Sequence, residues 1–415
     1  MTPINNRKMK WILSRDLLEI RNEFPILKKC IYLISNSLGA VPSGTRAQLE
    51  KFYKMWSELG VTAWEEEWWD LARNIGAELA AFLKAHKQSV TMMNSSSQAH
   101  WVALSTQFHK RGGKRNKIIM TEHDFPSTLY AVKKIADFMN WEVEIINHHG
   151  RESIEAGEIA KHIDERTLFV AVSHVFFKSA YVLDIKSLAE KARENGAITL
   201  IDGYHGPGAI PIDLTDSGVD FYIGGCLKWL CGGPGNAFLY VNPKSVRRYE
   251  PMLTGWFAHQ TPFAFDLSMK YTEDSYRYMS GTHPIPCLYT ALSGLSIIKK
   301  LGIRQIRRKS LQLTDLIISK ARKRDFQVFT PIEHDKRGGA VSLGIPHTFQ
   351  IKQALDSEQI KVDFRKGGVG EPDVIRIGPH FYNETCEIDI LFEKIDEIIF
   401  TKKYLDFPST FKKVT

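Results

Sequence analysis

Cysteine is scarce in this chain. The 415 residues contain five (Cys30, Cys226, Cys231, Cys287 and Cys386), an odd and scattered set. That excludes a disulfide framework as the organising device and suits free thiols in a reducing compartment. No second Cys or His pair at zinc spacing follows Cys226 and Cys231, so no metal site is expected. No uninterrupted apolar run approaches a membrane span, and residues 1–10 carry basic side chains but no apolar stretch of signal-peptide length. No membrane contact and a cytoplasmic location are therefore expected. The net charge of +8 is not concentrated in one block. Over 299–308 and 320–324 the basic residues interleave with apolar positions, as on solvated helix faces. With no nucleic-acid motif or zinc module, no nucleic-acid partner is expected.

A composition of 43% hydrophobic and 25% charged residues is that of an ordinary globular protein, long enough for two lobes. Short apolar runs at 117–120, 143–146, 168–172, 198–201, 221–223 and 237–241 read as strands. Amphipathic stretches at 127–139, 154–163 and 185–195 read as helices. Such alternation predicts an α/β fold with a mostly parallel sheet covered on both faces. After a loop-rich passage at 242–286, the pattern predicts a long helix over about 287–301. A smaller α+β lobe follows, with strands near 340–343 and 374–377. A further helix is expected at 11–21. No internal repeat or low-complexity linker is present.

Lys228 stands out. It lies in Gly224-Gly225-Cys226-Leu227-Lys228-Trp229-Leu230-Cys231-Gly232-Gly233-Pro234-Gly235, just after the largely apolar run 219–223. An amine at the end of a buried strand is placed to lose its proton and attack a carbonyl, because desolvation and nearby positive charge lower a lysine pKa. Pyridoxal phosphate (PLP) needs such an amine for its Schiff base. A solvated lysine in a glycine-rich turn is the alternative. Upstream, Ile198-Thr199-Leu200-Ile201-Asp202-Gly203-Tyr204-His205 runs from a β-branched strand into a carboxylate and a glycine exit. Asp202 at the carboxyl end of a parallel strand points into the crevice where such sheets bind ligands. PLP requires a carboxylate against its pyridine nitrogen, since the protonated ring is the electron sink. A turn residue or helix cap is the other reading of Asp202. The ordered pair, strand-Asp and then strand-Lys-Gly-Gly-Pro-Gly, is more specific than either part.

Further segments suit the same chemistry. Asn94-Ser95-Ser96-Ser97-Gln98 precedes a predicted helix, where hydroxyls and backbone N–H groups cradle a phosphate, or where they form a plain N-cap. Phe125-Pro126-Ser127 follows a predicted strand end and offers a ring to stack on a cofactor or to pack in the core. Arg376, inside the apolar strand Val374-Ile375-Arg376-Ile377, needs an anion. A substrate carboxylate and a structural ion pair both qualify.

Together these residues resemble the class V aminotransferase superfamily of fold-type I PLP enzymes, and within it the kynureninase branch, over about residues 24–399. The resemblance implies phosphate contacts by Ser96 and Ser97, ring stacking by Phe125, and contacts by Asp202 and His205 to the ring nitrogen and phenolic oxygen. It also implies the Schiff base at Lys228. Asn36-Ser37-Leu38-Gly39 is similar to a substrate loop, and Arg376 to the arginine that grips the substrate α-carboxylate. Gly255-Trp256-Phe257 implies a phosphate-side role for Trp256. Ser280-Gly281-Thr282 resembles a segment whose threonine reaches the partner subunit's phosphate, so a homodimer with shared active sites is expected. The implied domains are an N-terminal segment (1–40) packing with the small domain, a large PLP-binding domain (41–290) and a small C-terminal domain (291–415).

Departures from the branch bear on the reaction. Kynureninases carry a tyrosine just before the lysine, used for phosphate contact and proton transfer, and here that position is Leu227. The acidic residue after Phe-Pro-Ser is Thr128. Residues 62–69 lack the histidine and arginine expected in the entry loop, and no cysteine near 365–370 offers a desulfurase loop. The resulting expectation is a PLP-dependent enzyme on an amino-acid substrate, with α-proton abstraction by Lys228 and cleavage at the β-carbon, as in a kynureninase-like hydrolase or β-lyase. An aminotransferase or epimerase is the alternative chemistry. A non-catalytic binding protein would need none of Lys228, Asp202 and Arg376 together.

Overall fold

The computed structural model describes residues 19–147, 150–368 and 371–409. Seven strands form the central sheet: β1 (Val90–Met93), β2 (Lys117–Thr121), β3 (Glu142–Ile146), β4 (Thr167–Ser173), β5 (Ile198–Asp202), β6 (Phe221–Gly225) and β7 (Ala237–Val241). Their order is β1-β7-β6-β5-β4-β2-β3, and only β7 runs antiparallel to its neighbours. Every residue of β2, β4, β5, β6 and β7 is buried, as their apolar composition requires of a doubly covered sheet. The edge strand β3 carries Glu142 and Glu144, charges that discourage pairing with another chain.

Side chains alternate between two cores. Phe169 and Ala171 face the helices Ser96–Ser105 and Pro126–Met139, while Val170 and Val172 join the core of Trp69–Phe82, Ile185–Glu194 and Ile285–Leu301. A second sheet, wholly antiparallel, pairs the strands Asp363–Arg365, Val374–Ile377, Val341–Gly344 and Gln327–Val328 in that order. Helices Ile303–Arg322, Thr348–Ser357 and Thr385–Phe400 close a third core over it, which also takes in Leu33. The N-terminal strand Ile31–Tyr32 pairs in parallel with Ile360–Lys361, and Ile34 bridges to Gly378. The segment before the large sheet is thus stitched to the second one.

The α/β architecture expected from the sequence is present, with local differences. The helix expected at 154–163 spans only Ala156–Ala160. A Glu155–Glu158 capping box starts it, and it ends before His162, whose carbonyl accepts from Lys117 Nζ at 2.8 Å. Residues 242–284 are loop-rich as expected, broken by short 3-10 turns at Trp256–Ala258, Pro262–Ala264 and Ser275–Tyr278, and the long helix begins at Ile285. Of the helix expected at 11–21, residues 11–18 lie outside the described residues, and 19–21 are helical. Helices Gly44–Leu59 and Trp69–Phe82 were not anticipated. The first fully buries only Thr45: Phe52 and Met55 pack half-buried on the large-sheet core, while Leu49, Tyr53, Trp56 and Leu59 stay exposed and blur the inward stripe.

Phe24 is fully buried, with its ring centroid 4.7 Å from Tyr382 and 5.7 Å from Phe381. Phe24→Ala should lower stability by about 3–5 kcal/mol, the usual range for emptying a buried phenylalanine site. An unchanged urea midpoint would show that this contact does not hold the N-terminal segment.

Candidate active site

Because β2, β4, β5 and β6 are parallel, their carboxyl ends share one edge of the sheet, and the segments leaving them meet there. They enclose a cavity of about 540 Å3 lined by Asn36, Ser96, Ser97, Phe125, Asp202, His205, Lys228 and Arg376, among others. Eight residues expected from sequence to act together therefore meet in one space.

Lys228 follows β6. Its amine lies 2.6 Å from His205 Nε2, 5.0 Å from the Tyr204 ring centroid and 5.8 Å from that of Phe125. Burial, with the positive charge of Arg376 adding to it, brings its pKa down to about 7. The same burial, and the charge of Lys228, hold His205 well below the ordinary histidine range, so the imidazole is neutral and can accept from the amine. The loop before the large domain is fixed to this segment: Gly39 N–H donates to the Leu227 carbonyl at 2.9 Å. A Cβ at Gly39 would lie 2.1 Å from the Lys228 carbonyl oxygen, so only glycine permits the approach.

Asp202 ends β5 and is buried. Thr128 Oγ1 donates to one carboxylate oxygen at 2.7 Å and the Tyr204 N–H to the other at 3.0 Å. The substitution of an acid by Thr128 therefore puts a donor beside Asp202, and each of its carboxylate oxygens accepts one hydrogen bond. Asp124 braces the strand ends, accepting from the N–H groups of Thr121 at 2.7 Å and Ser173 at 2.6 Å. Burial pushes its pKa up to about 6.

At the far end, Ser95 caps the helix Ser96–Ser105 by accepting from the Gln98 N–H at 3.2 Å. Ser96 and Ser97 occupy the first turn, where backbone N–H groups have no carbonyl partner within the helix and attract anions. Phe125 is 42% exposed, its ring edge-on to Phe177 at 5.3 Å, so one face is free to stack on a ligand.

The fourth wall is a charge cluster. Arg376 donates from Nε to Asp363 Oδ2 at 2.7 Å, pairs with it again through Nη2, and donates from Nη1 to the Phe177 carbonyl. Arg365 Nη1 donates to Asp363 Oδ1 at 2.7 Å, and Ser37 Oγ donates to Asp363 Oδ2 at 3.0 Å. Burial lowers the Arg376 pKa to about 10 despite its carboxylate partner. The structural ion pair is thus real, and it does not exhaust the site. Two guanidinium groups share one carboxylate, which leaves positive charge at the cavity wall.

The family model Aminotransferase class-V matches residues 31–391. The chain belongs to the class-V aminotransferase family. It is 31% identical over 374 residues to the kynureninase of Pseudomonas fluorescens, covering 87% of each chain. To the kynureninase of Burkholderia mallei (strain SAVP1) it is 28% identical over 414 residues, 97% of each. Among solved structures it resembles the cysteine desulfurase of Thermococcus onnurineus NA1, with a TM-score of 0.80 and 20% identity over 97% of this chain and 100% of that one. The cystine C–S lyase C-DES, in complex with its product cysteine persulfide, gives 0.80 and 19% over 90% and 98%. The fold is that of fold-type I PLP enzymes, and the class-V chain is a PLP-dependent enzyme of the lyase and hydrolase kind.

The cavity fits that cofactor. It presents a near-neutral amine, a buried carboxylate, a half-exposed aromatic ring and a capped helix N-terminus, and its size is that of a small-molecule site. Lys228, Asp202, His205, Phe125, Ser96 and Ser97 would hold PLP. Two expected cofactor residues do not line the cavity of this single chain. Trp256 packs against Trp69 at 5.5 Å and against Phe257, because its turn leans on the helix Trp69–Phe82 rather than on the carboxyl edge of the sheet. Thr282 is exposed, although Ser280 in the same segment accepts from Gln98 Nε2 at 3.0 Å. Conversely, Ser37, Thr128, Tyr204, Asp363 and Arg365 were not assigned from sequence. Asp363-Phe364-Arg365, a charged pair astride an apolar residue in a short strand, is the signal that could have revealed two of them.

In the apoprotein, capture of an aromatic aldehyde by Lys228, trapped with borohydride, should rise with pH and reach half its maximum near pH 7. The lowered pKa leaves the amine neutral above that point. A midpoint near the ordinary value of 10.5 would show that the amine is solvated.

Proposed function

We propose that this enzyme cleaves a bond at the β-carbon of an α-amino acid. The observation that carries the reading is the convergence of Lys228, Asp202 and the Arg365–Asp363–Arg376 cluster on one cavity. Bound there, PLP supplies an aldehyde that condenses with amines and a protonated ring that draws electrons from the substrate α-carbon. Arg376, with Arg365 beside it, binds the substrate α-carboxylate through the charge that Asp363 leaves uncompensated. Asn36 and Ser37 border the same corner. Lys228 Nζ takes the α-proton, being neutral near pH 7 and close to the neutral His205. Asp202, which accepts from Thr128 Oγ1 and the Tyr204 N–H, is the carboxylate that would pair with the ring nitrogen.

The kynureninase relatives support β-carbon cleavage, and Leu227 argues for a substrate other than kynurenine, because its side chain has neither donor nor acceptor. Losing a general acid costs about 10²–10⁴-fold in rate. Kynurenine and 3-hydroxykynurenine should therefore be hydrolysed more slowly than another amino acid with a leaving group or activated carbon at the β-position. A panel of these with cysteine and its S-substituted derivatives, scored by released product, tests this. Efficient kynurenine hydrolysis by the wild-type enzyme would overturn it.

We also propose a cytoplasmic homodimer. No helix among the described residues is long and apolar enough to cross a membrane. Outward-facing Tyr53 and Trp56 are each 61% exposed, and Trp256, Phe263 and Phe265 are exposed as well, an apolar surface that a second copy would cover. In that dimer Trp256 and Thr282 serve the phosphate end of the partner's cavity. The division into 1–40, 41–290 and 291–415 is proposed with one adjustment. The helix Ile285–Leu301 packs into the large-sheet core along its length, which moves the second boundary to its end.

Arg376→Lys should raise KM for every amino-acid substrate at least tenfold and change kcat less, since an ammonium cannot reproduce the planar fork. Unaltered KM values would remove Arg376 from carboxylate binding.

A further inference from the structure

Leu227 leaves this active site without the phenol that the kynureninase resemblance leads one to expect at that position, yet a phenol is present in the cavity. Tyr204, between Asp202 and His205, lines the same cavity as Leu227 and Lys228, and its ring centroid is 5.0 Å from the Lys228 amine. The ring has a built seat. A Cβ at Gly225 would lie 2.4 Å from Tyr204 Cε2 and Cζ and 2.6 Å from its hydroxyl oxygen, so any residue larger than glycine at the end of β6 would expel the tyrosine. Elsewhere the ring packs against the core beneath the helix Ser96–Ser105, the helix whose first turn forms the anion end of the cavity.

The Tyr204 hydroxyl has no hydrogen-bond partner among the described residues. Burial, followed by the nearby Cys226 thiol and Asp202, raises its pKa above the ordinary tyrosine value, so it remains a protonated donor. The tyrosine borders the cavity, and for a hydroxyl with no partner of its own an anionic oxygen bound there is the most favourable acceptor.

We propose that Tyr204 is the phenol of this active site, donating its hydroxyl to an anionic oxygen of bound PLP from the seat that Gly225 provides, in place of the tyrosine that Leu227 replaces. The inference rests on the PLP reading of the cavity. It assigns Tyr204 a cofactor contact, and it makes Tyr204, Gly225 and Leu227 one interdependent set.

The test is the PLP dissociation constant, measured by spectroscopic titration after resolving the cofactor from the purified enzyme. Tyr204→Phe keeps the ring and removes only the donor, and it should weaken PLP about 10- to 100-fold, the span for a hydrogen bond to a charged group. Its circular dichroism and melting temperature without PLP should match wild type. A merely structural tyrosine would show the opposite pattern, with a lower melting temperature and unchanged PLP affinity. Gly225→Ala, which displaces the ring and keeps the hydroxyl, should weaken PLP as well, but by less than about twofold in a Tyr204→Ala background, where the seat is already empty. PLP affinity within about twofold of wild type in Tyr204→Phe overturns the proposal, as does an equal effect of Gly225→Ala in both backgrounds. Failure of the wild-type protein to bind PLP at all would be a different result, refuting the cofactor reading itself.

Discussion

The half-buried amine of Lys228 is the constraint on which the site depends. An ammonium ion withdrawn from water is costly, so the fold holds this group by lowering its proton affinity. Burial at the convergence of strand ends provides most of the effect and the neighbouring Arg376 adds to it. His205 follows from the same circumstance: beside an amine and beneath the same cover, it stays neutral and its ring nitrogen faces Lys228 Nζ. The chemistry of the site is therefore a product of topology. Parallel strands β4, β5 and β6 deliver Ser173, Asp202 and Gly225 to one edge, and the loops leaving that edge form the walls.

Charge around the cavity is arranged in two zones. Near Lys228 and the arginines, three basic groups face Asp363 and Asp202, which suits an anionic substrate carboxylate. Beside Asp202 the surroundings are donors: Thr128 from one helix and the Tyr204 N–H from its own turn. The first zone draws on both lobes. Arg365 and Arg376 sit on the second sheet, so the small lobe supplies carboxylate recognition while the large one supplies the proton-handling groups. The Gly39–Leu227 hydrogen bond ties the segment between them to the lysine loop.

Much of this was legible before any coordinates. The strand before Asp202 declares itself by a β-branched and apolar run ending in a charged residue and glycine, and the strand before Lys228 by an apolar run ending in two glycines. The 26-residue interval between the two charges leaves room for one crossover and one strand, so both fall on the same sheet edge. Arg376 inside an apolar strand could be read only as needing an anion, and sequence left two candidates. The structure shows Asp363 as one partner and retains a surplus of charge for another. The helix Gly44–Leu59 escaped notice because exposed Leu49, Tyr53, Trp56 and Leu59 stand between and around the inward Phe52 and Met55, which obscures the periodicity of the core face.

Sequence by itself determined the type of sheet, the lysine, the aspartate and the serine-rich turn, because each is encoded within a few adjacent residues whose spacing is local. Only the tertiary structure decided what surrounds them. Asp363 meets Arg376 across a strand pair, Thr128 reaches Asp202 from 74 residues away, and Tyr204 fits over Gly225 because two strand ends lie side by side. Such contacts depend on register and on the direction in which side chains leave the sheet, and neither is written in the order of residues along one strand.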